Sequence, residues 1–213
     1  MNRRLLGWSL LVALVYGPVL FALLILLHLN ETGFSFSTHV VCNLAAGGTR
    51  YRLLFGFAAW GMALLHIPFL VKWPAIAVKE GGTQTGKLLF FIAGVLFVAG
   101  FLLFPVFVLD PQTLTSYRVH QVIASFYFPA CAVIAIVPWI NLRGGGGSKP
   151  LLTLVSWTWM VTALAFAVSF IALASTAPPY PGWVNLLQWV FLVAYGLWAL
   201  VYGLTLIGVL RFR

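Results

Sequence analysis

An all-α, multi-pass membrane protein of six transmembrane helices is what this sequence predicts, and three observations carry the prediction. The 213 residues are 62% hydrophobic and only 7% charged, with a mean hydropathy of +1.05, so there is too little polar surface to coat a soluble domain. Six apolar stretches each reach the roughly 20 residues that a helix needs to cross a ~30 Å hydrocarbon core. Breakers and charges separate these stretches, and lipid admits only helices or closed barrels because it offers no partner for an open backbone group.

Taken in order, Arg3 and Arg4 precede span one, about residues 5–28. The run is too long for a signal-peptide core and lacks a small-residue cleavage site, so it is expected to be retained. Pro18 falls at its middle. Residues 29–50 form the longest connection, apolar enough to fold back as a short helix on the membrane surface. Span two covers about 53–71, with His66 and Pro68 toward its far end, and residues 72–87 read as a polar loop broken at Gly81 and Gly82.

Span three, about 88–109, ends at Asp110 and Pro111. Span four, about 117–140, opens with Arg118, His120 and Gln121, and Ser116 stands where it could cap the helix. A glycine-rich turn, RGGGGSKP at 143–150, leads to span five, about 151–174, whose Ala163 and Ala167 form a small-residue packing face. After the proline-rich turn at 178–182 comes span six, about 183–210, long enough to tilt. All six belong to one domain, 1–213.

The net charge of +9 does not indicate nucleic acid, because the basic residues stand singly or in pairs at span ends. Their asymmetry sets an orientation. Arg3, Arg4, Lys72, Lys79, Lys87, Arg143, Lys149, Arg211 and Arg213 fall on one side and Arg50, Arg52 and Arg118 on the other, so both termini are expected in the cytoplasm. The expected location is an integral membrane position, the cytoplasmic membrane in a prokaryote. Cys42 and Cys131, one in a loop and one within a span, are expected to be unpaired thiols.

Chemistry concentrates on the outer side, where His28, Glu31, His39, Asp110, Arg118 and His120 could converge on a polar pocket. Two uses compete. In the first, the pocket binds a lipid headgroup, small ligand or partner without catalysis, Arg118 supplying charge-assisted hydrogen bonds and His120 with Glu31 setting orientation. In the second, His120 serves as general base in an outer-leaflet lipid-modifying enzyme, helped by Glu31, His28 or a metal. A third class is a structural subunit of a membrane complex that meets a partner protein through the small-residue face of span five.

His28, Glu31, His39 and His120 supply enough ligand atoms for zinc or copper, yet their spacing matches no strong metal motif, and only a His28/His120 pair would suit a b-type heme. No cofactor is therefore expected. Membrane lipids are the expected partners.

The segment FVAGFLLFPVFVLDPQTLTSYRVHQVIASFYFPACAVIAI resembles the middle of the Frag/DRAM/Sfk-type six-span family and its prokaryotic relatives. Gly100, Phe104-Pro105 and His120 match its pattern, and Asn30-Glu31-Thr32-Gly33 is similar to its serine-aspartate-x-glycine stretch, with Glu in place of Asp. The resemblance implies an outer-facing acid and histidine, Glu31 and His120, in proteins linked to lipid handling and membrane trafficking.

Overall fold

A computed structural model describes residues 3–31, 35–36, 41–45, 49–79, 82–108, 114–143, 150–172 and 181–210. Six long helices carry the chain: α1 (Arg3–Glu31), α2 (Thr49–Lys79), α3 (Gln84–Leu103), α4 (Leu114–Arg143), α5 (Pro150–Ala172) and α6 (Gly182–Ile207). Each is long and apolar enough to cross a membrane, and no strand occurs among the described residues.

The bounds differ from the sequence reading at two connections, for local reasons. The loop expected at 72–87 is mostly helical, since α2 runs on to Lys79 with Trp73 buried, and α3 starts at Gln84 behind Thr83, whose Oγ1 accepts from the Gly86 N–H at 3.0 Å. Span three stops early, at Leu103, where Pro105 brings no N–H to continue the ladder. The glycine-rich turn at 144–149 and the proline-rich turn at 173–180 lie outside the described residues.

Each helix packs on its neighbours in sequence and α6 returns to α1, so the six close into a ring in chain order, with α2 also touching α4 across it. Six crossings bring Arg3 and Ile207 to the same face. There α1 and α6 meet backbone to backbone: a Cβ on Gly7 would lie 2.7 Å from the Gly203 carbonyl oxygen. Glycine permits that approach where any side chain would hold the helices apart.

Lipid tails are as apolar as leucine, so van der Waals packing rather than escape from water holds such a bundle together. Aromatic rings supply much of that packing. Trp159 and Trp198 lie 4.6 Å apart between centroids, Phe128 and Phe166 4.5 Å, and Phe128 and Phe191 5.1 Å. The two phenylalanine pairs are edge-to-face, an arrangement that adds ~0.5–1.5 kcal/mol per pair beyond the area buried.

Tyr127 sits among Phe97, Phe101 and Phe104 and presses so closely on α3 that a Cβ at Gly100 would fall 2.3 Å from its ring. Ala163 and Ala167 are buried inside the ring rather than on its lipid face, so they serve contacts within the bundle. Cys42 and Cys131 are both free and buried.

Candidate functional site

Beyond the end of α3 at Leu103, the carbonyls of residues 105–108 lie outside any helix and need donors, since an unsatisfied one is costly at membrane depth. Side chains from the two flanking helices supply them. Arg52 of α2 donates through Nε to the Pro105 carbonyl at 2.8 Å and through Nη2 to that of Val106, while His120 of α4 reaches Phe107 O at 2.5 Å and Ser116 Oγ reaches Val108 O at 2.9 Å. Four consecutive carbonyls are thus satisfied by three side chains.

A carbonyl can only accept, so His120 carries its proton on Nδ1. Its ring is 1% exposed and packs on Phe104 at 4.7 Å. Ser116 lies within the first turn of α4 rather than capping it, since the helix already begins at Leu114.

The other two described histidines are anchored in the same manner. His28 Nδ1 donates to Leu24 O at 2.9 Å and its ring lies 4.3 Å from that of Tyr51, which also receives Arg50 through a 3.1 Å bond to its hydroxyl. His66 Nδ1 donates to Met62 O at 2.6 Å, which leaves Nε2 bare to accept from the Tyr195 hydroxyl, also at 2.6 Å. That bond ties α2 to α6 across the bundle and fits the interior role expected of His66.

Of the residues expected to form an outer polar pocket, then, His28 and His120 are buried and engaged by backbone carbonyls on α1 and after α3, and Arg118 is exposed on the first turns of α4. Glu31 closes α1, its side chain undescribed, and His39 and Asp110 lie outside the described residues. No described contact joins the rings of His28 and His120. Among the described residues no three His, Cys, Asp or Glu side chains gather as a metal would need.

What the fold does build is a cavity of about 490 Å³, within the usual range of ~300–1,000 Å³ for small-molecule sites. Leu14, Pro18, Phe21 and Ile25 of α1 form one wall and Trp189, Leu192 and Gly196 of α6 another, with Phe55 and Met62 of α2 and Tyr127 of α4 behind. None of the described members of the expected polar pocket lines it.

Over the end nearest the α1–α2 connection lies a short 3₁₀ turn, Val41–Ala45, in the connection expected to rest on the membrane surface. Instead Val41, Cys42, Leu44 and Ala45 are buried. Gln188 of α6 holds the turn, its Oε1 accepting the Val41 N–H at 2.7 Å and its Nε2 donating to Cys42 Sγ at 3.7 Å. Phe36 meets Trp189 edge-on at 4.9 Å beside it. Burial pushes the Cys42 thiol from 9.0 up to about 12, against the opposing pull of the Gln188 amide.

Gln188 and Tyr195 had a faint sequence signal, one of two amides in an apolar span, with Asn185, and a tyrosine seven residues on, which puts Gln188 and Tyr195 on one helix face. Nothing in the sequence said that this face turned inwards toward a cavity.

Fold and site together define the class: a multi-pass membrane protein, a closed ring of six helices with an apolar chamber under a buried turn. The chain matches no family model, and no curated protein or solved structure matches it either.

Proposed function

We propose that this chain is a lipid-binding membrane protein that holds an apolar ligand in the chamber between α1, α2 and α6, without catalysing a reaction. The chamber itself carries the reading. A void of about 490 Å³ left empty in a bundle held together by packing would forfeit the contacts of every side chain around it, whereas a bound ligand restores them.

The polar mouth first expected to hold a headgroup is a weaker basis, since His28 and His120 are engaged in holding backbone carbonyls. The resemblance to a six-span family linked to lipid handling agrees with the proposed role. The charge asymmetry supports an orientation with both termini in the cytoplasm, in which the chamber would lie in the outer half of the membrane.

Mass spectrometry of ligand retained through detergent purification tests the proposal, with Ala59→Phe as the comparison because Ala59 lines the chamber. The wild type should carry about one apolar ligand per chain and lose thermal stability when stripped of it, as ligand linkage requires. The filled variant should carry none and lose no stability on the same treatment. Equal retention of a mixed lipid population by both proteins would end the reading.

A further inference from the structure

The chamber's shape and its opening say more about the occupant. Pro18 and Ala22 of α1 and Val193 of α6 line it and are also exposed on the outer surface of the ring, Val193 to 65%. The chamber therefore opens sideways, through the seam between α1 and α6, at a depth where the surroundings are lipid. At the opposite end of the same seam Gly7 and Gly203 hold the two backbones in contact. The helices are pinned at one end and apart at the other, and α1 carries Pro18, with its missing N–H, in the open half.

The end of the opening beside the buried turn is closed to anything polar. There Phe36 and Trp189 pack against each other, and the hydrogen-bonding side chains that line the chamber are few: Gln188, Cys42, Tyr127, Tyr195 and the Trp189 indole. Gln188 is already engaged with the turn and Tyr195 with His66. A charged or heavily hydrated group would be stripped of its water here with too few partners to replace it.

Size limits the guest further. A methylene group occupies about the room of a water molecule, ~30 Å³, so the chamber volume corresponds to roughly 16 carbons, the size of one acyl chain. Along α1 the lining runs from Leu14 to Ile25, about 16 Å at ~1.5 Å per residue. A chain of ~1.5 Å tetrahedral carbon–carbon bonds advances about 1.25 Å per carbon and spans that length with roughly 13 carbons. Volume and length agree on a single chain of 13 to 16 carbons, roughly, on the same grounds. The residues lining the chamber along this seam include the small Ala22 and Gly196, which obstruct a flexible chain less than larger residues would.

Resting on the lipid-binding reading above, we propose that the occupant is one unbranched fatty acyl chain that enters tail-first from the bilayer through the α1/α6 seam, its polar end remaining at the membrane interface. The source of the chain is a membrane phospholipid or a free fatty acid; the chemistry of the chamber is the same for both.

Photolabelling of the full-length protein in phosphatidylcholine vesicles tests this. One preparation contains phosphatidylcholine with a diazirine near the end of one acyl chain, a second a palmitic acid carrying the same group, and a third a photoreactive sterol. Adducts are mapped by peptide mass spectrometry. Tail-diazirine adducts are expected on chamber residues such as Phe55, Met62 and Leu192, and Ala22→Trp at the opening should cut them at least fivefold while adducts on the lipid-facing Leu64 and Val168 stay unchanged. Gly196→Leu repeats the test from the other wall, where an added Cβ meets only Leu14, at 3.4 Å.

Labelling by the phospholipid alone, by the acid alone or by both supports the acyl chain and names its source. Adducts confined to outward-facing residues, or chamber adducts indifferent to both substitutions, overturn the lateral entry. Chamber labelling by the sterol with none by either acyl probe overturns the acyl chain but leaves the lipid-binding reading standing. Absence of chamber labelling by all three, with no ligand retained in purification, overturns both.

Discussion

His120 shows how the meaning of one residue depends on what surrounds it. In the sequence it is an ionisable group near the mouth of a span, the kind of residue that by default marks function in a membrane. In the fold its Nδ1 proton goes to the Phe107 carbonyl, one of four in the segment just after α3 that Arg52 and Ser116 help to satisfy. Removing it should therefore cost stability rather than ligand. His120→Ala is expected to destabilise the protein by ~0.6–1.7 kcal/mol, the usual worth of a side-chain hydrogen bond in a membrane bundle. Thermal denaturation in detergent checks the loss, and retention of ligand equal to wild type at low temperature checks that the chamber is untouched; a folded variant that has lost its ligand would restore His120 to the binding site. Arg52 had drawn attention only as an outer-side charge. Its role was invisible because the carbonyls it binds lie 53 and 54 residues away in the chain.

At the scale of the element, the Val41–Ala45 turn is the piece whose placement the chamber depends on. A backbone N–H buried beneath it needs a partner, and the one for Val41 is the Gln188 amide oxygen at 2.7 Å. Gln188→Leu keeps the bulk and removes the bond, so the turn should open more often. Cys42 reports on this. In a Cys131→Ala background, alkylation of Cys42 by a membrane-permeant maleimide is expected to be at least tenfold faster when Gln188 is replaced, and an unchanged rate would mean that the turn is held by packing alone. The pH dependence follows from the thiol, raised from 9.0 to about 12 by burial. Labelling of the wild type should keep rising about tenfold per pH unit past 9, where an ordinary thiol levels off. The folded state holds that proton more tightly than the unfolded one, so its contribution to stability is complete below pH 9 and is lost as the pH rises toward about 12.

For the whole molecule, the closed ring of six antiparallel neighbours puts the two described ends side by side, with Gly7 against Gly203. Which side of the membrane they occupy follows from the proposed orientation. Reporter fusions at residues 1 and 213 should both behave as cytoplasmic, and a fusion inserted in the 29–50 connection as external. Opposite results at the two ends would contradict six crossings, and a uniform reversal would contradict the charge rule alone.

Six spans were legible in the residues themselves, because the energetic demand of lipid on a helix is local: about 20 apolar residues in a row, with charges and breakers between. The interior place of His66 was legible for a similar reason, its depth following from helical rise alone. The ends of α2 and α3 were less so, since Lys72 lies on a continuing helix and Pro105 rather than Asp110 ends the third. Helix order around the ring, the inward turn at Val41–Ala45 and the chamber left no mark in any local pattern. They arise from contacts such as Gln188 with Val41, 147 residues apart, and Tyr195 with His66, 129 apart. In lipid all apolar faces look alike to the solvent, so hydrophobicity identifies the helices but not the faces that meet; only close packing decides where the α1/α6 seam shuts, at Gly7 and Gly203.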